Sequence, residues 1–188
     1  MSDGLATALA GGDRELLLGT IRDVPDYPKP GVTFKDITPL LADPRAFSLL
    51  TDALAAAVSR HGATAVAGLE ARGFILAAPA AVRAGVGFVP VRKSGKLPGE
   101  TVTEEYELEY GTAEIELHVD AVGPGDRVLV IDDVLATGGT ADASVRLIRR
   151  TGAEVVGVSV LLELGFLGGR DRLTATLDGV PLEALITI

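Results

Sequence analysis

Four apolar residues, Val128-Leu129-Val130-Ile131, run directly into two carboxylates, Asp132-Asp133, and then into Val134-Leu135-Ala136-Thr137-Gly138-Gly139-Thr140. An apolar run of this length reads as a buried strand, and the Thr/Gly loop after it opens a helix. Successive backbone N–H groups in such a loop, backed by the positive end of the helix dipole, make a cradle for a phosphate. Thr137 and Thr140 can add hydroxyl donors, and the glycines let the backbone approach a ligand closely. The Gly-Lys-Ser/Thr ending of a Walker loop is missing, and there is no GxGxxG. A plain strand-loop-helix connection capped by aspartate would account for a lone TGGT, but not for all thirteen residues together.

Composition narrows what such a cradle can serve. The net charge of -9 argues against a nucleic-acid or anionic-membrane surface, since gripping phosphates with a whole face needs a basic stripe. With no cysteine, and His61 and His118 the only histidines, neither a zinc knuckle nor an imidazole-rich metal site can be built. Any metal should be a hard, oxygen-bound one such as Mg²⁺. No signal-like start and no stretch of 18 uninterrupted apolar residues occurs, so the expected location is the cytoplasm. Within 188 residues no linker is evident, which predicts a loose lead-in over 1–12 and a single domain over 13–188.

The rest of the chain alternates strand and helix. Leu16, Leu17, Leu18 and Ile21 predict an amphipathic helix ending before Pro25, followed by an irregular Pro/Gly-rich segment from Asp26 to Thr38. Asp43-Pro44 pairs a capping carboxylate with proline at the first helical position and predicts a helix to about Arg60. Strands are expected over 64–69, 86–91, 127–131 and 154–162, with helices over 74–83 and 140–150. Residues 101–109 and 114–119 read as an antiparallel hairpin projecting from the sheet, turned through Tyr110-Gly111. No Lys or Arg occurs from Thr101 to Asp126, so its polar face should be acidic and solvated. The whole is an α/β, doubly wound, mainly parallel sheet flanked by helices, with ligands at the carboxyl ends of the strands.

The motif from Val128 to Thr140 resembles the diphosphate-sugar fingerprint of the type I phosphoribosyltransferases. Four further segments resemble the adenine-specific members of that family: Asp26 to Ile37, Glu70 to Phe74, Arg92 to Gly99, and Leu108-Glu109-Tyr110-Gly111. The resemblance covers roughly residues 14 to 172. It implies transfer of the 5-phosphoribosyl group from 5-phosphoribosyl-1-diphosphate to adenine, giving AMP and pyrophosphate, with Mg²⁺ as cofactor and a homodimer as the assembly. It further implies pyrophosphate on Ala71, Arg72 and Gly73, and a mobile hood carrying Arg92, Lys93 and Lys96. Phe34 would stack on the purine, with backbone groups of Thr33 and Lys35 on its edge and Leu164 on its other face. Glu109, followed by Tyr110, would be the general acid/base. Asp132 and Asp133 would take the ribose hydroxyls, and Leu135, Ala136, Thr137, Gly138, Gly139 and Thr140 the 5-phosphate side. Metal would be bound through diphosphate, ribose hydroxyls and water rather than by a dedicated protein site.

Two rivals remain at this level. One is a phosphoribosyltransferase for xanthine, hypoxanthine-guanine or orotate. The other is a non-catalytic nucleotide-sensing regulator on the same fold, which would be expected to carry a basic face or an added DNA-binding module.

Overall fold

The computed structural model describes residues 9, 11–107 and 111–188. Its centre is β7 (Arg127–Leu135), flanked in parallel by β3 (Ala65–Leu69) and β8 (Glu154–Glu163). The seven-stranded sheet has the order β5-β6-β4-β3-β7-β8-β9, where β4 is Gly87–Lys93, β5 Thr101–Glu107, β6 Thr112–His118 and β9 Leu182–Thr187. β4 pairs in parallel with β3 and β9 in parallel with β8, while β6 runs antiparallel to both β4 and β5.

Side chains alternate across a strand, so a strand buried on both faces must be apolar at every position. Val128 and Val130 enter one core with Leu147, Ile148, Leu173 and Leu177. Leu129 and Ile131 enter the other with Leu50, Leu54, Leu76 and Leu17. The first core lies under α5 (Gly139–Arg150) and α6 (Gly169–Leu177). The second lies under α1 (Gly11–Gly19), α2 (Thr38–Ala42), α3 (Pro44–Arg60) and α4 (Arg72–Ala84). The chain leaves β3 through α4 toward β4 and leaves β7 through α5 toward β8, in opposite directions along the sheet. The crevice beyond the carboxyl ends of β3 and β7 is thus a topological switch point, where open α/β sheets bind ligands.

Some readings from the sequence change. The first helix ends before Pro25 as expected, but it stops at Gly19, short of Ile21, where the Thr20 hydroxyl donates to the carbonyls of Leu16 and Leu17 at 3.0 and 2.9 Å. The Pro-rich segment is less irregular than expected, because β1 (Arg22–Val24) and β2 (Phe34–Asp36) pair antiparallel at its two ends. Two ion pairs accompany them, Lys35–Asp23 at 2.6 Å and Arg22–Asp36 at 3.8 Å. Such three-residue strands show no apolar alternation to read. The hairpin extends the sheet instead of projecting from it, with Arg92 and Lys93 of β4 opposite Glu116 and Ile115 of β6. Its acidic face is only partly solvated: Glu104 bonds Arg146 and Arg150 of α5 at 2.8 Å each, so the missing cations come from another element. Beyond β8 the chain adds α6 and β9, which no motif had marked.

Asp43 caps α3 as its sequence predicts, its side chain accepting from the amides of Arg45 and Ala46 at 2.9 Å each. Asp43→Ala should lower unfolding free energy by about 0.5–2 kcal/mol. Urea denaturation would show a lower midpoint with an unchanged slope; an unchanged midpoint would mean that water caps the helix equally well.

Candidate active site

β7 carries both carboxylates within the strand, which runs on to Leu135 rather than stopping before them. Asp133 is 5% exposed. Its Oδ2 lies 2.8 Å from Nη2 of Arg72, at the start of α4. Asp132 accepts the Asp133 amide on Oδ1 at 2.9 Å. Loss of hydration pushes the Asp132 carboxyl well above the usual range, and the neighbouring Asp133 charge pushes it further. Burial also raises Asp133, opposed chiefly by the Arg72 guanidinium. Gly73 is what lets α4 come this close: a Cβ there would stand 2.7 Å from Asp132 Oδ1 and 3.1 Å from the Ile131 carbonyl.

Arg72 faces a second partner, its Cζ lying 5.0 Å from the centre of the Phe34 ring. Phe34 is half-buried and meets Tyr27 edge-on at 5.2 Å, so it sits at the crevice and not in the core. Thr33 beside it is exposed, while the Lys35 side chain is turned to Asp23. Leu164 is half-buried, and its amide donates to the Leu135 carbonyl at 2.9 Å, which fixes it beside the end of β7.

The Thr/Gly loop lines a cleft of about 90 Å³ that runs from Asp132 to Ala141. Gly138 is the N-cap of α5, with φ 80°, and no side chain caps the helix. The first amides of a helix have no partner within it, so these N–H groups are free to meet an anion. The left-handed conformation falls on Gly138 alone; Gly139 is already helical, and its absent side chain would face Tyr106, the Glu107 carbonyl and Arg172, each at 3.5 Å.

The cations divide into two kinds. Arg92 is tied back to Glu70, Nε to Oε2 at 3.1 Å, and Glu70 also takes the Lys93 amide at 3.1 Å. Lys93 and Lys96 are exposed, as is Ala71, whose peptide bond to Glu70 is cis. The loop bearing them is held: the 3% exposed Glu116 accepts the amides of Lys96 and Leu97 at 2.8 and 2.7 Å. Neither Glu70 nor Glu116 stands out in the sequence, though Glu70 opens the segment that carries Arg72. Glu109 and Tyr110 lie outside the described residues.

The phosphoribosyl transferase domain family matches residues 40–174. The adenine phosphoribosyltransferase of Streptomyces coelicolor is 70% identical over 177 residues, 94% of this chain and 97% of that protein. This chain belongs to the adenine phosphoribosyltransferase family. A solved adenine phosphoribosyltransferase from Rhodothermus marinus is similar to it with a TM-score of 0.88 and 50% identity, covering 95% of this chain and 100% of that one. The Trypanosoma brucei adenine phosphoribosyltransferase, solved with AMP, pyrophosphate and ribose-5-phosphate, has a TM-score of 0.85 and 27% identity, covering 95% of this chain and 82% of that one. The doubly wound reading of the sequence matches the fold of these family members.

A carboxyl whose folded pKa is raised stabilises the fold fully below its unfolded pKa and loses that contribution as pH rises through the folded value. At neutral pH, therefore, the ionised form of Asp132 works against folding, with Asp133 and Arg72 as its charged neighbours. Asp132→Asn should raise the melting temperature at pH 7–8, and the gain should shrink steadily as the pH is lowered toward about 4. Melting curves across that range test this; a variant destabilised equally at every pH would contradict it.

Proposed function

We propose that this chain transfers the 5-phosphoribosyl group from 5-phosphoribosyl-1-diphosphate to adenine, releasing AMP and pyrophosphate, and so salvages the free base. The observation that carries this reading is the union, at one switch point, of the half-buried Asp132 and buried Asp133 with an uncapped phosphate loop. A phosphate, a ribose and a group leaving C1 fit that order of donors and charges.

Departure of diphosphate leaves an electron-poor, oxocarbenium-like C1, comparable to the centre formed in glycoside cleavage. Arg72, with the exposed Lys93 and Lys96, would disperse the leaving charge, and Ala71 and Gly73 would bring backbone to the diphosphate. Arg92 enters through Glu70, which fixes the base of the loop carrying the two lysines. Asp132 and Asp133 would hold the ribose hydroxyls and balance positive charge on the sugar. Phe34 and Leu164 would clamp the purine, with backbone groups of Thr33 and Lys35 reading its edge. Glu109 is the proposed acid/base for the ring proton, with Tyr110 beside it. Leu135 to Thr140 would anchor the 5-phosphate.

The side chains suit a magnesium ion that arrives with the donor's diphosphate. Asp132 and Asp133 offer hard oxygens whose raised proton affinity a cation would reverse, and among the described residues no three His, Cys, Asp or Glu side chains converge as a site of their own. Bound there through the ribose hydroxyls and water, the ion would neutralise the diphosphate. Residues 13–188 would act as one domain, as a homodimer in the cytoplasm; among the described residues no helix is long and apolar enough to cross a membrane.

A base panel tests the reading directly. With donor and Mg²⁺, adenine should release pyrophosphate, while hypoxanthine, guanine, xanthine and orotate should fall at least about a hundredfold below it in kcat/KM, because buried edge groups would face the wrong partner. Chelation should abolish the reaction. Equal turnover of a 6-oxo purine would overturn the adenine assignment and leave the phosphoribosyl transfer standing.

A further inference from the structure

The phosphate loop does not hold its shape alone. A 3-10 turn (Gly165–Leu167) and Gly168, at φ 69°, deliver the start of α6 against it, so that two glycine backbones cross in contact. A Cβ on Gly169 would lie 2.1 Å from the Ala136 carbonyl oxygen and 3.0 Å from the Gly138 nitrogen. From the other side, a Cβ on Gly138 would lie 2.7 Å from the Gly169 carbonyl. A real Cβ never stands so near to backbone, so with any other residue at 169 one of the two segments must move.

Which one moves follows from how each is held. α6 is fastened at both ends: at its start Arg170 donates to Glu163 of β8 at 2.8 and 2.6 Å and to the Leu182 carbonyl of β9 at 3.1 Å, and at its far end it is tied to α5. The Asp142 carboxylate, 4% exposed, takes the Thr176 hydroxyl and also pairs with Arg146. Arg149 donates to the carbonyls of Thr176 and Leu177 at 2.6 and 3.0 Å, and Leu173 and Leu177 are buried in the core. Ala136 is only half-buried and Thr137 is exposed. The loop is the side that gives.

We infer that Gly169 is a positioning residue for the donor's 5-phosphate: its bare backbone sets the turn from Ala136 to Gly138 and so aims the loop amides. The inference rests on reading that loop as the phosphate site. Gly169→Ala would displace the Ala136 carbonyl and the Gly138 nitrogen and so spoil the aim of the loop amides. Losing one charge-assisted hydrogen bond corresponds to roughly ten- to a hundredfold in affinity. The effect belongs to the phosphate and not to the base or the ribose.

Calorimetric titration of Gly169→Ala with AMP and with adenosine separates these contributions. Gly87→Ala serves as the control, since a Cβ there meets nothing within 4 Å. The expected result is an AMP dissociation constant at least about tenfold higher, with adenosine binding unchanged and both ligands unaffected by Gly87→Ala. Unchanged AMP affinity, or equal weakening for AMP and adenosine, would overturn the role. Should Gly169→Ala not fold, the unmodified protein still decides: the Gly169 amide resonance must shift with AMP and not with adenosine, and a resonance indifferent to AMP overturns the proposal. If the unmodified protein binds AMP no more tightly than adenosine, what fails is the phosphate reading of the loop itself.

Discussion

Arg72 and Asp133 meet at 2.8 Å with the carboxylate side chain 8% exposed, and so poorly hydrated a charge persists only while its counter-ion stays in place. Asp132, immediately before it, has no such cation of its own and is held partly by the Asp133 amide. The two carboxyls therefore compete for one guanidinium, and their proton affinities rise together. Keeping Arg72 there requires the first turn of α4 to press on the end of β7, which only Gly73 permits. It also requires β3 and β7 to be neighbours in register, Gly68 opposite Ile131, so that α4 starts level with the carboxylates.

Those demands explain why the crevice is built from backbone approaches. Gly73 beside Asp132, Gly138 at φ 80° and Gly169 beside Ala136 are three points where a side chain would separate elements that have to touch. An anion held by amides needs no flexible cation and loses little entropy on binding, so a loop braced in shape by its neighbour suits the end of the donor proposed not to react. The end proposed to react is different in kind. The cations proposed for it, Lys93 and Lys96, are exposed, and the loop bearing them hangs on two carboxylates, Glu70 taking the Lys93 amide and Glu116 those of Lys96 and Leu97.

Much of this was legible in the sequence because the relevant residues are contiguous. Val128 to Thr140 reads as strand, carboxylate pair and phosphate loop, since the apolar period, the acids and the glycines fall within one window, and Asp43-Pro44 marks its helix for the same local reason. What the sequence did not disclose depends on partners far along the chain. Glu104 looks like one more solvated acid until Arg146 and Arg150 of α5 stand beside it. The Pro-rich segment looks irregular because the pairing of Val24 with Phe34 spans nine intervening residues. Nothing about Gly168-Gly169 announces the contact of Gly169 with Ala136, 33 residues earlier in the chain.

On the proposed reading, the end of β7 and the loop after it hold the ribose and its 5-phosphate. A crystal structure of the protein with AMP decides the matter. Phosphate oxygens should lie within about 3 Å of backbone nitrogens between Ala136 and Thr140, with the ribose hydroxyls turned to Asp132 and Asp133. AMP bound with its phosphate elsewhere, or with its ribose turned away from the carboxylate pair, would contradict it.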